Sequence, residues 1–277
     1  MAAELGRVGV WSLKHLWDDN HERAAELEEL GFGTLWLGGS PGGDLTQVDD
    51  ILANTRALTV GTSILNIWTD TPATAAAAQH RIVDKFPDRF VLGVGAGHKE
   101  IIEPTTGQTY ERPYSKLADY LDQLDVPKHD VAIAALGPKA LKLATTTRGA
   151  LPYLVTPEHT AQARETLGQG PLLAPEQHVL LETDPTRARE LARQALGLYL
   201  GLPNYVRNWR RLGFTDDDVR GSDHLVDSLI AWGDEDTIKT RVEEHLAAGA
   251  DHVAIQVVTP DGGLDFDQYR RLAAALL

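Results

Sequence analysis

Short apolar runs rich in Val, Ile, Leu and Trp alternate along the whole chain with stretches whose apolar residues recur at helical spacing. The runs predict eight strands, at 8–11, 34–37, 58–64, 90–94, 131–135, 150–154, 178–181 and 252–258. They are apolar at consecutive rather than alternate positions, as expected of parallel strands covered on both faces. The stretches between them read as helices. Asn20 is placed to cap one whose Ala24, Ala25, Leu27 and Leu30 face inward, with Gly31 and Gly33 where a left-handed residue ends a helix. The pattern returns at 236–248, which ends at Gly249 before the last strand. Eight such units favour a closed (β/α)8 barrel of the TIM type over an open doubly wound α/β sheet, and place any chemistry on the loops after the strands.

Two segments exceed a minimal unit of what reads as one domain, 1–277. The segment 99–113, with Glu103-Pro104-Thr105-Thr106-Gly107, is long enough to cover the mouth of a barrel. The segment 197–222, with Pro203-Asn204-Tyr205 and Trp209, predicts extra helices between strands seven and eight, as packing or as an interface. The hydrophobic fraction of 43% over 277 residues suits an ordinary globular core. A net charge of -14 without a Lys/Arg cluster argues against a nucleic-acid partner. No cysteine is present, which removes disulfides and thiolate chemistry. The N-terminus does not read as a leader and no run reaches membrane-spanning length, so a soluble, cytoplasmic protein is expected.

The chemistry concentrates at the ends of strands three, four and five. Gly93-Val94-Gly95-Ala96-Gly97 departs from a dinucleotide fingerprint, because His98 stands at the sixth position and the string follows the fourth strand. Its small residues either let a planar ring lie close to backbone or let the strand kink. His98 can donate to a ring carbonyl or act as a proton donor, against a structural or solvated role. Leu136-Gly137-Pro138-Lys139 runs from a strand into a helix start, which suits a phosphate as well as an ordinary cap. Asp184-Pro185 reads as a helix start. Trp11, Trp36 and Trp68 wall a pocket or pack the core. The histidines show no close ligand spacing, so no metal is expected.

Gly61-Thr62-Ser63-Ile64, then Asp88-Arg89-Phe90-Val91-Leu92-Gly93-Val94-Gly95-Ala96-Gly97, then Ala135-Leu136-Gly137-Pro138, resembles the luciferase-like monooxygenase superfamily, closest to its coenzyme F420 (deazaflavin)-dependent oxidoreductases. The order of segments agrees over essentially the whole chain. The resemblance implies a (β/α)8 barrel with the cofactor across its C-terminal mouth, a cis peptide at Ser63–Ile64 behind the ring, Gly97 and His98 lining the ring or its ribityl chain, and Leu136, Gly137 and Pro138 along the chain toward the phosphate. It further implies hydride transfer to or from a small organic substrate, as a reductase or dehydrogenase rather than an oxygenase, and a homodimer. An FMN-dependent monooxygenase and a vestigial or carrier barrel without turnover stand as alternatives. Strand two departs from the pattern: Gly38-Gly39-Ser40 replaces the acid or histidine that many deazaflavin enzymes carry there. The anionic tail of such a cofactor needs local positive charge, for which Lys99, Arg112 and Lys139 are the candidates.

Overall fold

The computed structural model describes residues 3–277. In chain order its elements are β1 (Val8–Leu13), α1 (Ala24–Glu29), β2 (Thr34–Gly38), α2 (Thr46–Ala53), β3 (Thr59–Thr62), β4 (Leu65–Asn66), α3 (Pro72–Lys85) and β5 (Phe90–Gly95). There follow α4 (Lys99–Thr106), α5 (Pro113–Gln123), β6 (Val131–Ala134), α6 (Pro138–Ala144), β7 (Gly149–Leu151), α7 (Pro157–Leu167), β8 (Leu172–Leu173) and β9 (Glu176–Leu180). The chain ends with α8 (Pro185–Leu196), α9 (Pro203–Arg211), α10 (Asp223–Leu229), β10 (Ile230–Trp232), α11 (Glu235–Ala247), β11 (Val253–Val257) and α12 (Phe266–Leu276).

All strand pairings are parallel, in the order β10-β9-β11-β1-β2-β3-β5-β6-β7-β8. The sheet closes on itself because β8 and β9 are two parts of one strand, broken where Pro175 has no N–H to give. One edge of that strand meets β7 at Ala150↔Leu173, continued by Ala174 N–H to Ala150 O (3.0 Å) and Glu176 N–H to Pro152 O (2.9 Å). The other edge meets β11 at Ala254↔Glu176 and Gln256↔His178. Beyond the end of β7, β10 occupies the vacated edge at Ile230↔His178. The architecture is thus a parallel α/β barrel, with the extra helices α9 and α10 between the seventh and eighth barrel strands.

The eight expected strands are present, with three local differences. The seventh begins at Leu172, before the expected 178. The run 58–64 divides into β3 and β4 about a cis peptide at Ser63–Ile64. The ninth strand, β10, is three residues long and too short to stand out from its helical flanks. Asn20 does not cap α1: its amide donates to Leu16 O at 2.8 Å, and the chain enters the helix through a 3-10 turn. Asp184 does cap α8, accepting from Arg187 N–H at 2.8 Å.

The barrel interior is filled by a few large rings set against positions without side chains. Trp11, Trp36, Val91, Ala132, Leu151 and Ala254 form its apolar cluster. A Cβ on Gly38 would fall inside the Trp11 indole, and one on Gly61 inside that of Trp36. The missing side chain on strand two therefore has a steric cause: the neighbouring strand's tryptophan occupies its place. Trp36 Nε1–H donates to His252 Nε2 (3.0 Å), whose Nδ1–H donates to Gly6 O (2.8 Å), so this buried histidine is neutral with a defined tautomer. Burial takes His252 down to about 4. Outside the barrel a larger core joins the strands to the helices, and a further cluster around Trp209, Leu196 and Leu225 holds the insertion.

Candidate functional site at the barrel mouth

Helix α9 organises the C-terminal mouth. Pro203 starts it, in the first helical turn where a missing N–H costs nothing, and Tyr205, Asn208 and Trp209 form its buried face. That face reaches the loops after three successive barrel strands. Asn204 meets His98 beyond β5, Arg211 meets Gly137 beyond β6, and Trp209 Nε1–H donates to Leu154 O beyond β7 at 3.2 Å. Tyr205 packs on both Tyr153 and His98, with ring centroids 6.2 and 5.3 Å apart.

His98 Nδ1 lies 3.1 Å from Asn204 Oδ1. An amide oxygen only accepts, so the ring proton sits on Nδ1 and Nε2 is left as an acceptor. Burial lowers the pKa of His98, against the opposing pull of Asn204 and Glu100, which keeps the ring neutral at pH 7. In that state it accepts a hydrogen bond or a proton rather than donating one through Nε2. Gly97 O accepts from Tyr110 OH at 2.9 Å, and Tyr110 stacks on Trp68 with centroids 4.9 Å apart. Trp68 thus packs under the 99–113 segment, whose first eight residues are helical, while Trp11 and Trp36 lie inside the barrel. Burial, helped by Glu100, pushes the Tyr110 hydroxyl up to about 12.

Ser63 N–H donates to Leu37 O at 2.8 Å, and Ser63 and Ile64 are half-buried at the end of β3. Ile64 packs beside Gly95 and Ala134, where a Cβ on Gly95 would come within 2.9 Å of both side chains. The ends of β3, β5 and β6 therefore form one small-residue wall. Leu136 O accepts from His159 Nε2–H at 2.8 Å, Gly137 precedes α6, and Pro138 and Lys139 are exposed in its first turn. The structure brings Ile64 to the strand-five residues, and brings His98 and Gly137 onto the one helix α9.

Of the expected cations, Lys99 is paired with Glu103 at 3.8 Å, whereas Arg112 and Lys139 have no ion pair among the described residues. An arginine absent from the sequence expectation faces Gly137, and a second lies one turn before it on α9. The Arg211 guanidinium lies 3.4 Å from where a Gly137 Cβ would be, and Arg207 is one turn before it. Neither meets a carboxylate among the described residues, while the adjacent Arg210 pairs with Asp216 at 2.8 Å. Burial and the like charge of Arg207 lower the Arg211 pKa. Arg211 donates to Asn208 Oδ1 at 2.7 Å, leaving Asn208 Nδ2 buried without an acceptor, and His159 Nδ1 is likewise unpartnered. His159 Nδ1, opposite the donating Nε2–H, is an acceptor, whereas the free Asn208 amide donor beside a cation without a carboxylate partner fits an anionic group. The i, i+4 spacing of Arg207 and Arg211 was the available signal, but nothing in the pattern says which loop that face meets.

Among the described residues no group of three His, Asp or Glu is arranged to hold a metal ion, and no helix is long and apolar enough to cross a membrane. Two surface grooves along α10 and α11 share Arg241, which already donates to Ser228 O at 2.8 Å; the first includes Trp232 and Gly233 at the end of β10, and neither is lined by the residues at the ends of β3, β5 and β6.

Residues 5–126 match the model of the luciferase-like monooxygenase family. The chain is 23% identical over 348 residues to a Mycobacterium tuberculosis (strain ATCC 25618 / H37Rv) protein named as a coenzyme F420-dependent oxidoreductase, covering 97% of each. Among solved structures, an F420-dependent secondary alcohol dehydrogenase in complex with an F420-acetone adduct superposes with a TM-score of 0.75 at 15% identity, covering 100% of both chains. The oxygenating constituent of 3,6-diketocamphane monooxygenase from Pseudomonas putida, in complex with FMN, gives 0.67 at 14% identity, over 96% of this chain and 95% of the other. At these identities the superpositions establish a shared fold, which serves both kinds of cofactor.

Proposed function

We propose that this chain, whose residues 5–126 match the luciferase-like monooxygenase family, is an oxidoreductase that transfers a hydride between coenzyme F420 and a small organic substrate. What carries the reading is Arg211 at Gly137, with Arg207 one turn before it, both unpaired by carboxylate in a chain of net charge -14. A cofactor with a phosphate and an acidic tail is the ligand class for which such a pair is worth keeping. When bound, the deazaflavin supplies the hydride chemistry; the protein supplies binding, orientation and exclusion of water.

In this reading Ser63 and Ile64 back the ring, Gly97 and His98 border it, and Leu136, Gly137, Pro138 and Lys139 follow its side chain toward the arginines. His98 is the candidate catalytic side chain beside the ring, offering Nε2 as an acceptor. The mouth has no carboxylate or imidazole on β2 to share that work, since Trp11 fills the space at Gly38. The name of the mycobacterial relative supports F420 over FMN.

The test is a titration of the purified protein with oxidised F420 and, separately, FMN at matched ionic strength, following ring fluorescence. Tighter binding of F420, weakened in Arg211→Ala, is the expected result. Preference for FMN with oxygen consumption would replace the proposal with a monooxygenase, and binding of neither would leave a carrier or vestigial barrel.

A further inference from the structure

A second polar cluster lies beneath the mouth, on β9. Gln177 points outward, meeting His245 at 3.0 Å and Leu229 O at 2.9 Å, so strand alternation turns Glu176 and His178 into the barrel. Their side chains are only 3% and 2% exposed. Glu176 Oε1 lies 2.6 Å from His178 Nδ1, without the alignment of a hydrogen bond, and both atoms are buried with no hydrogen-bond partner. The other carboxylate oxygen accepts from Leu154 N–H at 3.2 Å. Tyr153 stands edge-on to the imidazole, with centroids 5.6 Å apart. Its hydroxyl bonds Gln256 Oε1 at 2.8 Å and the Tyr199 hydroxyl at 2.9 Å, and Tyr199 is partly buried. The titratable groups around His178 are thus Glu176 on its own strand, Tyr153 after β7, and Tyr199 and Tyr205 from the insertion.

An apolar pair would fill this space at lower cost than a carboxylate and an imidazole taken out of water. We infer that His178 is a catalytic acid–base group of the hydride-transfer site, and that Glu176 is its positioning residue; the inference rests on the function proposed above. A lone pair on Nδ1 would face the carboxylate at 2.6 Å, so the ring proton belongs on Nδ1 and Nε2 is the working atom. No protein group among the described residues hydrogen-bonds Nε2. In the oxidising direction an alcohol O–H bond breaks and its proton passes to Nε2, the carbinol C–H bond breaks and its hydride passes to the oxidised deazaflavin, and the C=O bond forms. Reduction is the reverse, with the carbonyl oxygen taking the proton back from Nε2. Tyr153 and Tyr199 keep bulk water from the pair. His98, whose burial disfavours a charge, then serves the ring as a hydrogen-bond acceptor.

Diethyl pyrocarbonate acylates an imidazole at its unprotonated nitrogen, and peptide mass mapping locates the product. In the full-length protein His178 is expected to react, and to react several-fold faster in Tyr199→Ala. His245 and His252, with both ring nitrogens engaged, serve as unreactive references. F420 at about ten times its Kd should slow the reaction at His178 about tenfold. In nitrogen-15 spectra assigned with His178→Gln, the wild-type proton should reside on Nδ1, and Glu176→Gln should move it toward Nε2. The inference is overturned if His178 stays unmodified in both proteins while His98 reacts, if bound F420 leaves its reaction unchanged, or if Glu176→Gln leaves the tautomer in place. Should Glu176→Gln fail to fold, the acylation map decides alone. Absence of F420 binding by fluorescence would instead overturn the cofactor reading, and FMN would take its place as the protecting ligand in the same map.

Discussion

At the scale of single residues, the mouth is shaped as much by absent side chains as by present ones. Gly38 read from the sequence is a lost catalytic position; in three dimensions it is the space that Trp11 needs. Gly38→Ala should therefore destabilise by about 1–3 kcal/mol through overpacking, measured by urea unfolding, and Trp11→Phe in the same chain should recover part of the loss. His98 was legible as a candidate, but its acceptor state was not, because Asn204 lies 106 positions away. His98→Ala is expected to slow single-turnover hydride transfer while leaving F420 affinity within a few-fold. An unchanged rate would remove His98 from the mechanism. Arg211→Ala should weaken F420 binding and flatten its dependence on salt, since one screened charge contact is lost; a salt dependence identical to wild type would place the tail elsewhere.

At the scale of elements, α9 converts separate loops into one site. Its sequence announced a helix through Pro203 and a strongly two-sided distribution of Tyr, Trp and Arg, but the partner of each face came only with the fold. Trp209 is completely buried and anchors the helix to Leu154. Trp209→Ala should cost about 3–5 kcal/mol of stability. It should also weaken F420 binding more than its distance from Gly137 suggests, because Arg207 and Arg211 ride on the same helix. Calorimetry beside a fluorescence titration separates the two effects: loss of stability with unaltered affinity would make α9 a packing element alone. The strand β10 and the break at Pro175 were hidden for a different reason, being too short for periodicity to register.

At the scale of the whole molecule, two buried histidines tie stability to pH. Burial lowers His252 to about 4 and His245 to about 3, each from an ordinary value near 6.5. The unfolded chain therefore binds more protons than the folded one below pH 6.5, so stability is fully present above that value. It falls as pH drops toward 4, on the order of 1.4 kcal/mol per pH unit for each histidine. Urea midpoints from pH 7.5 to 5 should show this decline. His252→Gln, which keeps a donor and an acceptor but cannot titrate, should reduce its slope; an unaltered slope would acquit His252.

What the sequence by itself determined was the repeating strand and helix order, because apolar periodicity is a local property and eight repeats of it leave few ways to bury both faces of a parallel sheet. It also marked the ends of β3, β5 and β6, where small and polar residues interrupt the apolar runs. Only the tertiary structure decided what those ends meet. Pairing of β1 with β2 sets Trp11 against Gly38, the insertion lays Asn204 and Arg211 on loops far away in the chain, and Tyr153 and Tyr199 close over Glu176 and His178. These are contacts between residues distant in sequence, and their partners are chosen by packing and by the requirement that buried polar groups find one another.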